Sequence, residues 1–206
     1  MKKGILFILM LVLSVNLFAG KNYYKAELLL KSGDVKQGYA NWVAGNNDEF
    51  VYYKGAKKEK AQKIEAVKID KIIFDFDGDK VELKQLKVYK GWSQKKIKGP
   101  IWLETVQEGI VTLFVVTSEL QGGKDFGGFR GSATFHDYYC IREGEPAAKW
   151  ISAVSTGNNN QMFRAKAPLY FADYPELAKK IKDKEYRWKD LTTVIDLYNN
   201  WASDKL

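Results

Sequence analysis

Asp75-Phe76-Asp77-Gly78-Asp79 sets carboxylates on alternate positions, the arrangement in which a calcium loop presents its oxygen ligands. An EF-hand loop starting at Asp75 needs glycine at its sixth position and glutamate at its twelfth, where the chain has Lys80 and Leu86. The calcium reading fails there, and Asp77-Gly78 between two alternating runs is the signal of a tight β-hairpin instead. His136 is the single histidine and Cys140 the single cysteine. One of each cannot build the nitrogen and sulfur shell of a structural zinc site. His136 and Asp137 are neighbours on a predicted strand and so point to opposite faces, and no Gly-x-Ser-x-Gly elbow accompanies them, so no hydrolytic triad is spelled out. Cys140 lies in an apolar-aromatic run and reads as a buried small hydrophobe. No cofactor is implied. A carboxylate pair for glycoside hydrolysis could be drawn from the 25 acidic residues, yet nothing in their order singles one out.

Two further segments could bind. The run Lys54-Gly55-Ala56-Lys57-Lys58-Glu59-Lys60-Ala61-Gln62-Lys63 is the densest in charge. Lysines in such a run make a solvated turn and keep a strand edge from pairing with other chains, and beside Tyr52 and Tyr53 they can also form a cationic patch. Lys57, Lys58, Lys60 and Lys63 are its candidate binding residues. Gly122 to Gly131 is glycine-rich but lacks both the Gly-Lys-Ser/Thr ending of a phosphate loop and the Gly-x-Gly-x-x-Gly of a dinucleotide turn. It reads as a hairpin loop on which Phe126, Phe129 and Arg130 are candidates for contact with a partner.

The elements that must position these residues are mostly strands. From Lys21 to Tyr89 apolar and polar residues alternate, with turns at Ser32-Gly33-Asp34, Gly45-Asn46-Asn47-Asp48 and Asp77-Gly78. The spacing predicts strands at Tyr24 to Lys31, Val35 to Val43, Glu49 to Lys54, Ile64 to Ile69, Lys71 to Phe76 and Lys80 to Tyr89. Between Pro100 and Thr156 three more are expected: Gly109 to Ser118, Ser132 to Arg142 and Ala148 to Thr156. Ile110 to Val116 is apolar on both faces, as in a central strand covered on each side. The end of the chain changes to helical spacing. Asp173-Tyr174-Pro175-Glu176 has the form of a capping box with proline in the first turn, predicting a helix to about Lys184. A second helix from Lys189 carries Leu191, Val194, Ile195, Tyr198 and Trp201 on one stripe. Strands first and helices last give an α+β fold: mainly antiparallel sheet, as a sandwich or open barrel, with two C-terminal helices packed on it.

The first twenty residues place the chain in a compartment. Lys2 and Lys3 precede an apolar run from Ile5 to Phe18, closed by the small residues Ala19 and Gly20, which is the layout of a signal peptide and too short for a comfortable membrane span. The expected organisation is a signal peptide at 1–20, an antiparallel β region at 21–90, and strands followed by a helix pair at 91–206, the last two forming one compact unit. A lone cysteine and the lack of any Asn-x-Ser/Thr sequon fit a bacterial periplasmic or secreted protein better than a glycosylated one. The leader holds two of the 33 basic residues and none of the 25 acidic ones, leaving +6 on the remainder. In an exported protein that charge points to an anionic envelope polymer, or to solubility alone, and not to nucleic acid.

Gly109-Ile110-Val111-Thr112-Leu113-Phe114, Tyr170-Phe171-Ala172-Asp173-Tyr174-Pro175-Glu176-Leu177 and Leu197-Tyr198-Asn199, after a lysine-rich β region with a Gly-Asp hairpin, give the chain a pattern that resembles a group of uncharacterised exported proteins of Bacteroidota bacteria. The resemblance implies an envelope location and no activity. At the position of Tyr174 that group often has cysteine, so a thiol role there is absent from this chain. The reading that follows is a non-enzymatic module binding an envelope polymer or another envelope protein. Its rival is a hydrolase of glycan or cell-wall material.

Overall fold

Alternation broken by turn residues builds the first strands close to where it predicts them. The computed structural model describes residues 22–90, 94–121, 132–154 and 159–205. Its first six strands are β1 (Tyr23–Leu30), β2 (Val35–Asn41), β3 (Phe50–Lys54), β4 (Gln62–Glu65), β5 (Ile69–Phe76) and β6 (Asp79–Lys90). Asp77 and Gly78 have φ of 55° and 107°, the two left-handed positions of a type I′ hairpin, and Phe76 pairs with Asp79 across them. Ile64 to Ile69 is not one strand. A 3₁₀ turn, Ala66–Lys68, interrupts it, because the chain must leave β4 and cross to the far side of β1, where β5 pairs. Ala66 is buried and its N–H donates to the Glu49 carbonyl at 2.8 Å, while the Lys31 N–H donates to the Lys68 carbonyl at 2.9 Å. These bonds draw the two ends of the β5-β1-β2-β3-β4 run together, so the sheet curls around Leu28, Val51, Ile72 and Phe74.

The curl is tight at one point. A Cβ on Gly38 would lie 2.2 Å from the Lys54 carbonyl oxygen, so only glycine lets β2 and β3 approach there. The Tyr53 ring lies beside it, and its hydroxyl donates to the Gln37 carbonyl at 2.7 Å.

Among the described residues four more strands, β7 (Lys96–Gln107), β8 (Val111–Gln121), β9 (Ser132–Arg142) and β10 (Lys149–Val154), complete one antiparallel sheet of ten in the order β10-β9-β8-β7-β6-β5-β1-β2-β3-β4. The sheet is not closed into a barrel. Strand β7 is not among the strands that alternation predicts, and it carries the local break signal Gly99-Pro100. Pro100 sits where the β6–β7 register shifts, between Leu86 and Val88, and a bulge needs no ladder hydrogen bond from it. A parallel bridge between Val88 and Ala148 then joins β6 to the chain entering β10, and the strands between them wrap around Ile101, Leu103 and Phe114. Strand β8 is covered on both sides, as its composition requires. Val111 and Leu113 face the helices, and Phe114 and Val116 face the opposite cluster.

Among the described residues three helices pack on the first of those faces: α1 (Asn159–Tyr170), α2 (Pro175–Lys182) and α3 (Leu191–Ser203). The two expected helices are present. Helix α1 is additional, its Phe163, Ala167, Tyr170 and the following Phe171 forming a buried i, i+4, i+7, i+8 set that the asparagine run at its start and Pro168 within it disguise. Leu191, Val194, Ile195 and Tyr198 of α3 are buried, and Ala202 continues the stripe. Trp201 lies at its rim, partly buried and stacked on Tyr174 with ring centroids 4.5 Å apart. The capping box does not form. Tyr174 is the N-cap of α2 without a side-chain cap bond, because the Asp173 carboxylate is taken by Arg142 and Tyr198. Among the described residues no helix is long and apolar enough to cross a membrane.

Candidate functional site

Strand alternation sends Leu28, Ala40, Val51 and Tyr53 into the first curl and their neighbours outward. The outward set is not a random polar surface. It carries Tyr23 and Lys25 on β1, Tyr39 on β2, and Phe50, Tyr52 and Lys54 on β3, with the rings half-buried between lysine chains. Lys54 Nζ lies 4.1 Å from the centre of the Tyr23 ring, and Lys57 Nζ 5.6 Å from that of Tyr39. Lys63 Nζ stands 5.5 Å from the Phe50 ring and 5.9 Å from that of Tyr52, its cross-strand neighbour. Each such cation–π contact at an exposed site contributes about 0.5–1 kcal/mol, enough to hold an ammonium in place without neutralising it. Beside these residues a groove of about 400 Å³ runs among Lys25, Gln37, Tyr39, Ile73, Asp75 and Lys80.

The four sequence candidates therefore separate. Lys57 and Lys63 join the aromatic face, whereas Lys58 and Lys60 stand in the exposed β3–β4 turn with no ring or carboxylate partner among the described residues. Lys54, the first residue of the charge run, joins the set through Tyr23. Lys25 is balanced by Asp75 at 2.7 Å, and that hydrogen bond and charge hold the Asp75 carboxyl below the ordinary carboxylate range. Phe126, Phe129 and Arg130 lie outside the described residues, as do residues 1–20.

A second polar constellation joins residues too far apart in the chain to carry any local signal. Arg142, at the end of β9, donates from Nε to the Tyr198 hydroxyl at 3.0 Å, and from Nη2 to the Tyr170 carbonyl at 2.9 Å and the Asp173 carboxylate at 3.0 Å. The guanidinium carbon lies 4.2 Å from the Tyr170 ring centre and 4.9 Å from that of Tyr198. Glu145 accepts from the Arg142 N–H at 3.0 Å, the Tyr170 hydroxyl at 2.9 Å and Lys149 at 3.1 Å. Burial alone would raise the Glu145 pKa, and these donors outweigh it and hold the carboxyl below its usual range. A carboxylate so committed cannot act as a general acid, and the arginine ties strand, turn and helices together.

Glu104 shows the opposite behaviour. Burial pushes its carboxyl up, partly offset by nearby His136, and Tyr138 beside it is raised by burial and by Glu104 itself. His136 Nδ1 lies 3.0 Å from the Thr117 hydroxyl. A glycosidase needs a second carboxyl across a cleft from such an acid. Glu82 and Asp137 alternate onto the opposite face of the sheet, where Glu82 meets Lys71 at 2.6 Å and Asp137 accepts from the Trp150 indole at 2.9 Å. Compared with protein families, curated proteins and solved structures, the chain matches none.

Proposed function

We propose that the protein is an exported bacterial envelope protein that binds an anionic envelope polymer through the lysine and tyrosine face of β1, β2 and β3, without catalysing a reaction on it. The observation that carries this is the alternation of half-buried rings with lysines on one outward face, of which Lys54, Lys57 and Lys63 have no carboxylate partner among the described residues. Cations seated on rings are pre-positioned, so an arriving phosphate or carboxylate orders fewer rotamers than it would on a free lysine. The groove beside them offers an extended chain a course across the strands. Support for export comes from the leader-like first twenty residues and from the resemblance to exported proteins of Bacteroidota.

The test is binding of purified lipopolysaccharide and of polygalacturonate to the protein at low and high salt, comparing wild type with Lys57→Glu/Lys63→Glu. Binding should weaken with salt, since screening acts over a Debye length of about 8 Å at physiological ionic strength, and it should weaken further in the variant. The variant should remain folded, losing at most the about 1.5–3 kcal/mol of its cation–π contacts with Tyr39, Phe50 and Tyr52, which thermal melting reads. Affinity indifferent to both salt and mutation sinks the assignment of this face.

A further inference from the structure

A different surface, where the start of β1 meets the end of β2 and the loop after it, has the composition of a sugar site. Its cavity of about 310 Å³ is lined by Asn22, Tyr24, Asn41, Trp42, Asn46 and Asp48. That volume is at the low end of the roughly 300–1,000 Å³ of small-molecule sites. The floor is aromatic. Trp42 is 37% exposed, and its ring is braced by Phe74 at 5.0 Å and Phe76 at 5.7 Å between centroids, while Tyr24 leans on Phe76 at 5.3 Å. A large ring kept partly in water while its rear packs on a core phenylalanine is a rigid stacking platform.

The rim is made of planar polar groups on a fixed loop. The Gly45 N–H donates to the Trp102 carbonyl at 2.8 Å, the Trp102 N–H to the Asn46 carbonyl at 3.0 Å, and the Asn46 N–H to the Val43 carbonyl at 3.0 Å. The Asn46 backbone is thereby held from both sides. Its side chain, like those of Asn22 and Asp48, makes no hydrogen bond or ion pair with any described residue. Asn41 spends its oxygen on the Tyr52 N–H at 2.7 Å, which fixes its amide at the cavity wall.

We infer that this cavity binds a neutral pyranose ring of a glycan, stacked on Trp42 and Tyr24 with its hydroxyls on Asn22, Asn46 and Asp48. A pyranose has an apolar C–H face whose hydrogens are electropositive and meet the negative face of an indole ring. Its hydroxyls each donate and accept, as do amides, and a carboxylate accepts from an adjacent pair. Charge narrows the class further. Among the described residues no cation lines the cavity and Asp48 is the one carboxylate, so a uronic acid or a phosphorylated ligand meets repulsion that none of the lining residues offsets. The inference is independent of the lysine face.

The experiment titrates the purified protein with cellohexaose, maltohexaose and chitohexaose as neutral probes and with hexagalacturonate as the acidic one, read by tryptophan emission and calorimetry. At least one neutral probe should bind saturably below about 10 mM, Trp42→Ala and Asn46→Ala should each weaken it at least about tenfold, and Lys57→Glu/Lys63→Glu should leave it unchanged. Thermal melting verifies each variant, and if Trp42→Ala does not fold, Asn46→Ala and Asp48→Ala on the exposed loop decide. Failure of all three neutral probes to saturate, unaltered binding by the folded variants, or tighter binding of hexagalacturonate through this loop overturns the inference.

Discussion

Replacing Gly109 by alanine would place a methyl group 2.1 Å from Asn199 Nδ2 and 2.7 Å from its Cγ, so the asparagine must move. What it holds makes that movement expensive. Beyond Gln107 the β7–β8 ladder has ended, and the Asn199 amide takes the missing strand's place, accepting the Val111 N–H at 2.8 Å and donating to the Val111 carbonyl at 3.1 Å. Val111 is fully buried under α3, so both backbone groups lose their partners when the amide leaves. An unsatisfied buried group costs about 1–3 kcal/mol, and water reaching the exposed Gly109 turn favours the low end, giving about 2–3 kcal/mol for Asn199→Ala. Gly109→Ala should lose the same bonds but regain about 0.4–1 kcal/mol through a less flexible unfolded chain, for a net cost of about 1–2 kcal/mol. In the double variant the clash has no object. Its cost should therefore fall slightly below that of Asn199→Ala alone, a departure of about 2–3 kcal/mol from additivity, well above the usual ~0.3–0.5 kcal/mol scatter. Urea unfolding followed by circular dichroism, with unchanged m-values, measures all three. Additive costs, or a Gly109→Ala variant as stable as wild type, would refute the argument that glycine is required by the asparagine clamp.

Two other expectations follow from ionisable groups that burial shifts. Burial raises the Glu104 pKa, so the neutral carboxyl is the form the fold prefers, and the associated stability is complete below the unfolded value of about 4.3 and is lost as pH rises through the folded value. Glu104→Gln should therefore match wild type in acid and exceed it in denaturation midpoint at neutral pH, and a difference that does not vary with pH would contradict this. Cys140 is fully buried beneath the helices and burial pushes its thiol well up, so a disulfide reagent should label it only at the rate of unfolding, whereas rapid labelling of the native protein would show that α1 and α3 do not cover β9 as described.

Alternation and turn chemistry determined most of the strands by themselves, because the side-chain period of two and the left-handed demand of Asp77-Gly78 act over a few residues and need no knowledge of what lies opposite. The same is true of α2 and α3, whose stripes are complete within the helix. Strand β7 and helix α1 were obscured for a local reason: Gly99-Pro100 and Pro168 are breakers in isolation, and a bulge or a packed neighbour tolerates them only once the rest of the fold exists. The sites needed more. The lysine run was visible as charge, but its division into Lys57 and Lys63 on rings and Lys58 and Lys60 in solvent depends on Tyr39, Phe50 and Tyr52 arriving from other parts of the ladder. Arg142 meets Tyr170, Asp173 and Tyr198 from three later segments, and Asn199 reaches Gly109 across ninety positions of chain. Tyr24 and Trp42 become one aromatic floor only because β5 lies next to β1 and brings Phe74 and Phe76 behind them. Such contacts depend on which strand lies beside which, and that order is fixed by burying all the apolar faces together, a condition no single segment of the sequence expresses.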